Sequence, residues 1–199
     1  MRKKHFCDRK RNWKNMRDRN NNIILTGFMG SGKTTAGIRL SYRLRLPLLD
    51  TDKWIEKEEG RTISEIFALQ GEETFRKMET SALRTLLELE GEQIISTGGG
   101  LPMREENREL LKKLGTVVFL RIKPETVYER LKGDNTRPLL KKADPMKEIR
   151  RLLELRNPVY QECADITVDV DGKDFEEIIS EIIDRTGKNK ETDHENTSH

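Results

Sequence analysis

Short apolar runs alternate along the chain with longer segments in which apolar residues recur at helical spacing. The first run, Asn22–Thr26, precedes a glycine-rich loop and a helical segment, Lys33–Arg45. The other predicted strands are Pro47–Leu49, Gln93–Ser96, Thr116–Ile122 and Asp165–Val170. The other predicted helices are Thr62–Leu69, Glu72–Glu90, Glu105–Leu114, Glu125–Leu131, Met146–Cys163 and Phe175–Arg185.

This alternation predicts an α/β fold, with a five-stranded parallel sheet covered by helices on both faces. Ligands of such sheets bind beyond the carboxyl ends of the strands. We therefore expect three segments to meet at one sheet edge: the loop after Thr26, the residues around Asp50 and Asp52, and Gly98–Gly100.

Composition excludes several classes of function. The 199 residues suit one domain, and no apolar run approaches the roughly 20 residues of a membrane-spanning helix. Cys7 and Cys163 lie far apart without metal-ligand spacing, which disfavours a disulfide framework or zinc site and favours a reducing cytoplasm. All three histidines lie near the ends of the chain, so histidine chemistry is excluded from its body. They are His5, His194 and His199.

Charge divides the chain into a domain and two flanking segments. Residues 1–22 carry nine Lys or Arg and two Asp, a balance of +7, whereas residues 23–186 have a balance of −3. We interpret residues 1–21 as a disordered basic leader, 22–186 as the domain and 187–199 as a disordered tail. The alternative for the leader is a nucleic-acid arm or targeting segment, although it lacks the apolar core of a secretory signal.

A phosphate-binding loop is the strongest motif. The segment 27–34, GFMGSGKT, fits GxxxxGK[ST] in full and lies between a predicted strand and a predicted helix. Its backbone N–H groups and the helix N-terminus can surround phosphate oxygens. Lys33 is expected to reach the β- and γ-phosphates and act in catalysis, and Thr34 to bind Mg²⁺. The predicted ATP-binding residues here are Gly30, Ser31, Gly32, Lys33, Thr34 and Thr35.

Two aspartates follow the second predicted strand. The third strand ends in Thr97 and glycines, so the nearest carboxylates for a metal shell are those of Asp50 and Asp52. One could serve the metal while the other accepts a proton from a substrate hydroxyl. The alternative is helix capping, by Thr51 or Asp52, which is compatible with either function.

Arginines indicate the charge of the acceptor. Arg76 and Arg156 could together hold a carboxylate, although each could instead be an ion-paired surface residue. Arg137 lies in a polar stretch, residues 133–145, that we interpret as a mobile lid. An arginine on a closing loop can neutralise the transferring phosphoryl group and contribute to catalysis.

In combination these segments resemble the shikimate kinase family over about residues 22–185. Beside the phosphate loop, the specific motifs are the second-strand aspartates, the Phe-Arg-x-x-Glu segment, the triple glycine and the Arg-Pro-Leu-Leu segment of the lid. They are Leu48–Asp52, Phe75–Glu79, Ser96–Gly100, Thr136–Leu140 and Arg156–Tyr160. The resemblance implies a nucleoside-monophosphate-kinase type of α/β/α fold with strand order 2-3-1-4-5.

The resemblance also implies a role for each matching residue. Asp50 would be the metal-shell aspartate, and Asp52 would contact the shikimate hydroxyls and assist deprotonation. Arg76 and Arg156 would hold the shikimate carboxylate, with Glu79 orienting that site. The remaining implied contacts are the backbone of Gly98, Gly99 and Gly100 on the substrate, Arg137 on the ATP phosphates and Arg130 near the adenine.

The activity implied is the phosphorylation of the shikimate 3-hydroxyl by ATP with Mg²⁺, in aromatic amino-acid biosynthesis. We expect a monomer that binds two small molecules, ATP and shikimate, without a membrane or nucleic-acid partner. The rivals are a gluconate or nucleoside kinase on the same fold, and a nucleotide-binding regulatory protein without kinase chemistry. A nucleoside is a neutral acceptor and needs no pair of guanidinium groups, and a regulatory protein needs no acceptor site.

Overall fold

Five parallel strands form the centre of the computed structural model, which describes residues 21–133 and 144–188. The strand order is β2-β3-β1-β4-β5, which confirms the expected topology. The strands are β1 Asn22–Thr26, β2 Leu48–Asp50, β3 Ile94–Ser96, β4 Gly115–Arg121 and β5 Ile166–Asp169. The helices are α1 Lys33–Leu44, α2 Thr51–Glu59, α3 Ile63–Leu87, α4 Glu105–Leu114, α5 Pro124–Leu131, α6 Pro145–Cys163 and α7 Phe175–Thr186, with a 3₁₀ turn at Leu101–Met103.

Strand β1 occupies the middle of the sheet and is buried along its whole length. Because side chains alternate across a strand, Ile23 and Leu25 enter one hydrophobic cluster and Ile24 enters another. The first cluster also holds apolar residues of α1 and α7, and the second those of α3 and α4. Helices therefore cover both faces, as a parallel sheet requires.

A third, smaller cluster lies between α2 and α3, away from the sheet. Ile55 of α2 packs with Ile66, Phe75 and Ala82 of α3. This contact fixes the orientation of α3. The predicted substrate-binding residue Arg76 directly follows Phe75 on this helix.

Helix α3 joins two segments that the sequence predicts as separate helices. Gly71 interrupts it with a φ of 81° and a ψ of 166°, a backbone conformation that favours glycine. The predicted end at Glu90 is wrong, because the helix stops at Leu87. Leu89 instead packs against the second cluster, and Gly91 forms a turn at positive φ.

The chain on either side of the domain is described only in part. Asn21 and Lys188 both bind Glu92, so the first and last described residues are joined at the start of β3. Most of the predicted leader and tail, residues 1–20 and 189–199, lies outside the described residues. Among the helices that the structure describes, none has the length and apolarity to cross a membrane.

We predict that Asn22→Ala destabilises the fold. The buried Asn22 side chain donates to the Leu114 carbonyl at 2.8 Å and accepts from the Gln93 N–H at 2.8 Å. Loss of both hydrogen bonds is expected to lower the free energy of unfolding by about 3 kcal/mol in urea denaturation. Asn21→Ala, at an exposed neighbour, is the control and should cost less than about 0.5 kcal/mol. Equal losses would contradict this prediction.

Candidate active site

A cavity of about 820 Å³ lies beyond the carboxyl ends of β1, β2 and β3, where the sequence predicts a ligand site. The phosphate loop forms one side, and residues from α2, α3 and α6 form the other. The predicted site residues that line it are Gly30, Gly32, Lys33, Thr34, Thr35, Asp50, Asp52, Arg76, Glu79, Gly98, Gly99, Gly100, Arg130 and Arg156. Arg137 and nearly all of the predicted lid lie outside the described residues.

The phosphate loop turns through glycines at positive φ, 77° at Gly30 and 92° at Gly32. Gly32 precedes α1 and supplies no side-chain cap, so the first N–H groups of the helix have no capping side chain. Lys33 Nζ donates to the carbonyls of Gly27 at 2.8 Å and Phe28 at 3.0 Å, which holds its ammonium group over the loop. This arrangement is suited to phosphate oxygens.

Ser31 contributes to the loop differently from its neighbours. Its side chain is buried, and a Cβ atom placed on Gly27 would lie 3.1 Å from its Oγ. The hydroxyl therefore faces the end of β1, and the Ser31 N–H donates to the Phe28 carbonyl of the loop at 3.2 Å.

Arg130 joins α5 to the phosphate loop. Its Nη1 donates to the Gly30 carbonyl at 2.9 Å, and it lies beside Gly32 and Phe175. The guanidinium group is therefore on the phosphate-loop side of the cavity, and its expected position near the adenine stays a prediction.

The two second-strand aspartates have different environments. Asp50 caps α2, because its Oδ1 accepts from the N–H groups of Asp52 at 3.1 Å and Lys53 at 3.3 Å. The expected cap by Thr51 or Asp52 is therefore wrong: Thr51 Oγ1 instead accepts from the Gly98 N–H at 3.0 Å. Both aspartates still line the cavity.

Asp52 has a buried Oδ1 atom that accepts no hydrogen bond from any described residue. Burial raises the pKa of this carboxyl to about 6, the charge of Asp50 adds to the rise, and Lys33 opposes it. A carboxyl with such a pKa can accept a proton near neutral pH more readily than an ordinary one.

Arg76 and Glu79 form an ion pair on α3. Arg76 Nη1 donates to Glu79 Oε2 at 2.8 Å, and Arg76 Nη2 donates to Glu72 at 2.8 Å. Glu79 is fully buried, and burial raises its pKa to about 7 although the Arg76 guanidinium opposes the rise. Within the described ranges, its second oxygen, Oε1, has no hydrogen-bond partner. Glu73, another acidic residue of α3, forms an ion pair with Arg104.

Gly98 and Gly100 have no side chain, so the charged groups of Asp52 and Arg76 can lie directly against the backbone. A Cβ at Gly98 would lie 2.5 Å from Asp52 Oδ1, and one at Gly100 would lie 2.3 Å from Arg76 Nη1. The backbone of the triple glycine therefore approaches both charged groups directly. Any larger residue would displace the aspartate or the guanidinium.

Arg156 enters the cavity from α6. Its Cζ lies 5.7 Å from the centroid of the Phe28 ring, which belongs to the phosphate loop and is fully buried. This cation–π contact places the second candidate arginine on the same cavity as Arg76.

Two aromatic residues without a predicted role also shape the cavity. Phe67 and Phe75 form an apolar wall with ring centroids 5.0 Å apart. Phe75 was visible as part of a specific motif, whereas Phe67 had no distinguishing signal beyond helical spacing.

The residues proposed for a metal have suitable oxygen donors. The Thr34 hydroxyl and the Asp50 carboxylate line the same cavity as Lys33. Mg²⁺ commonly takes one or two protein oxygens and completes its shell with water and substrate phosphates. Thr34 and Asp50 fit that pattern, whereas the described residues contain no cluster of three acidic, His or Cys side chains that could bind a metal unaided.

Comparisons with known proteins point to one family. A family model described as shikimate kinase matches residues 29–186. The shikimate kinase of Dictyoglomus turgidum is 44% identical over 166 residues, covering 82% of this chain and 95% of the relative. That of Neisseria gonorrhoeae is 46% identical over 154 residues, covering 77% and 90%. A solved structure of shikimate kinase from Acinetobacter baumannii in complex with shikimate has a TM-score of 0.78 and 37% identity, covering 87% and 96%.

We predict that the Glu79 carboxyl makes stability depend on pH. Its pKa is about 7 in the folded protein against an ordinary 4.5, so the folded state binds more protons between these values. The free energy of unfolding should therefore fall as the pH rises from about 4.5 to about 7. Relative to Glu79→Gln, the wild type should lose about 2 kcal/mol between pH 5 and 8 in urea denaturation.

The matched control is Glu72→Gln, at the exposed partner of the same arginine. It should retain the pH dependence of the wild type. A Glu79→Gln variant with the same pH dependence as the wild type would refute the assignment.

Proposed function

This chain belongs to the shikimate kinase family, which phosphorylates shikimate with ATP in aromatic amino-acid biosynthesis, and we propose which of its residues perform the reaction. The observation that carries the proposal is one cavity with two chemically different ends. Lys33 and Thr34 lie at the phosphate-binding end, and Asp52, Arg76 and Arg156 line the rest.

The arginines would hold the acceptor by its carboxylate. Arg76 and Arg156 reach the cavity from different helices, and bidentate guanidinium–carboxylate contacts fix orientation as well as position. Glu79 holds Arg76 by the 2.8 Å ion pair, so it would orient that guanidinium without itself binding the carboxylate. The Gly98–Gly100 backbone would lie against the sugar-like ring.

Asp52 would bind the shikimate 3-hydroxyl and accept its proton as phosphoryl transfer proceeds. Its buried oxygen without a hydrogen-bond partner and its raised pKa support this role. The reaction would then proceed in line, from the terminal phosphorus to an oriented oxygen, with positioning as the main contribution of the protein.

Lys33, at the phosphate-binding end of the cavity, would neutralise charge on the transferring phosphoryl group. Bound Mg²⁺, held by Thr34 and Asp50, would supply Lewis-acid charge to the phosphate oxygens. Arg130 would lie by the adenine. We retain the proposal that Arg137, on a lid at residues 133–145, contacts the ATP phosphates and helps to exclude water, on the basis of the family motif around it.

Two rivals are less well supported. A nucleoside kinase binds a neutral acceptor, which would offer no anionic group to the two cavity arginines. A regulatory nucleotide-binding protein would need neither those arginines nor a buried aspartate beside them. We also propose that the protein acts in the cytoplasm, which two cysteines without disulfide or metal-ligand spacing favour. We further propose that it is a monomer.

We predict that loss of either cavity arginine weakens shikimate binding. Arg156→Ala and Arg76→Ala should each raise the KM for shikimate roughly 100-fold in a coupled ATP assay, because charge-assisted hydrogen bonds are lost. The KM for ATP should stay within about threefold of wild type.

Arg150→Ala is the matched control, because Arg150 lies on the same helix as Arg156 and forms an exposed ion pair with Glu125. It should leave both KM values unchanged. A shikimate KM that stays near wild type in both cavity variants would remove the carboxylate-binding role.

We predict that Asp52→Asn lowers kcat for shikimate roughly 100-fold or more, since general-base assistance is lost. In the wild type, kcat/KM should fall as the pH drops through about 6, because protonated Asp52 cannot accept a proton. The variant should lack this acidic limb. Asp169→Asn, at an exposed ion pair with Arg121, is the control and should keep the wild-type profile. An unchanged rate in Asp52→Asn would contradict the assignment.

A further inference from the structure

Tyr160 is the largest fully buried side chain of the described residues, and its hydroxyl reaches the triple glycine that lines the active-site cavity. It lies on α6, and its ring packs against Phe119 of β4 with centroids 5.2 Å apart. Its hydroxyl donates to the Gly99 carbonyl at 2.5 Å. The sheet therefore holds the ring, and the ring in turn holds the middle residue of the triple glycine.

Three buried side chains from three helices fix the backbone turn that begins at Gly98. Thr51 of α2 accepts from the Gly98 N–H at 3.0 Å, and Asn107 of α4 donates to the Leu101 carbonyl at 2.9 Å. Tyr160 of α6 is the third. Each of the three is fully buried, so these hydrogen bonds exchange little with water and hold the turn firmly.

Tyr160 also lies beside a candidate substrate-binding group. Arg156 is four residues earlier on α6, so the two side chains share one face of the helix. The Arg156 guanidinium is near enough to oppose the rise in the pKa of Tyr160, which burial takes to about 12. The hydroxyl is therefore neutral, and remains a donor to Gly99, throughout the pH range of an enzyme assay.

We propose that Tyr160 is a positioning residue for shikimate, whose hydroxyl holds the Gly99 carbonyl, and with it the triple glycine, in place at the acceptor end of the cavity. The inference rests on the proposed function, because it takes the acceptor contacts of Arg156 and of Gly98–Gly100 as given. Tyr160 itself would not touch the substrate.

The hydroxyl and the ring have separable effects. Tyr160→Phe keeps the ring that packs on Phe119 and removes only the donor to Gly99. The hydroxyl has one hydrogen, which it donates to Gly99 and not to the phosphate loop. Loss of the hydroxyl should therefore impair acceptor binding and leave nucleotide binding intact, whereas a general loosening of the fold would affect both.

The experiment compares steady-state kinetics of wild type and Tyr160→Phe with shikimate and ATP each varied in turn. We expect the KM for shikimate to rise roughly tenfold, as for a lost hydrogen bond, while the KM for ATP stays within about twofold. The rise should be the same at pH 7 and pH 9, since the hydroxyl does not ionise in this range.

Tyr128→Phe is the matched control, at a half-buried tyrosine on α5, and should leave both KM values unchanged. Thr51→Val removes the acceptor for the Gly98 N–H at the other end of the same turn, with little change of shape. It should reproduce the selective rise in the KM for shikimate, and it provides a second test if Tyr160→Phe does not fold.

Two results would overturn the inference. One is a shikimate KM within twofold of wild type in a folded Tyr160→Phe variant, and the other is an equal rise in both KM values. If Tyr160→Phe does not fold, the same results in Thr51→Val would have that force. Failure of the proposed function is distinguishable, because wild type would then not phosphorylate shikimate in the same assay.

Discussion

The burial of two carboxyl groups beside one guanidinium is the constraint on which the acceptor end of the cavity depends. Asp52 and Glu79 are both removed from water enough to raise their pKa values, and Arg76 provides the compensating charge. Such an arrangement is costly unless each charged group has a partner. In this site each carboxyl group keeps one buried oxygen without a hydrogen bond from the described residues, so the loss of water around that oxygen is not compensated.

The same crowding explains the triple glycine. Its backbone passes close to Asp52 and Arg76, at distances that no Cβ could occupy. A segment without side chains cannot hold its own position by packing. Neighbouring helices hold it instead, because Thr51 accepts from the Gly98 N–H and Tyr160 donates to the Gly99 carbonyl. The triple glycine is intrinsically flexible, but these hydrogen bonds make it rigid in the folded protein. A site that orients its substrate requires such rigidity.

The two ends of the cavity are built in different ways. The phosphate loop is one continuous segment between β1 and α1, and its geometry follows from glycines and a helix N-terminus. The acceptor end combines residues from α2, α3, α6 and the loop after β3, which are distant in sequence. Phe28 connects the two ends, because its ring belongs to the phosphate loop and lies against Arg156.

The amino-acid sequence alone determined the order of strands and helices along the chain, the parallel sheet, the phosphate loop and the residues proposed for the chemistry. These properties depend on local periodicity and short motifs, which act within a few residues. Only the tertiary structure decided that Asp50 rather than Asp52 caps α2, that Glu79 pairs with Arg76 while Glu73 binds Arg104, and that Tyr160 reaches Gly99. Partner choice among similar side chains depends on how helices pack against the sheet, and burial changes pKa values only once that packing has excluded water.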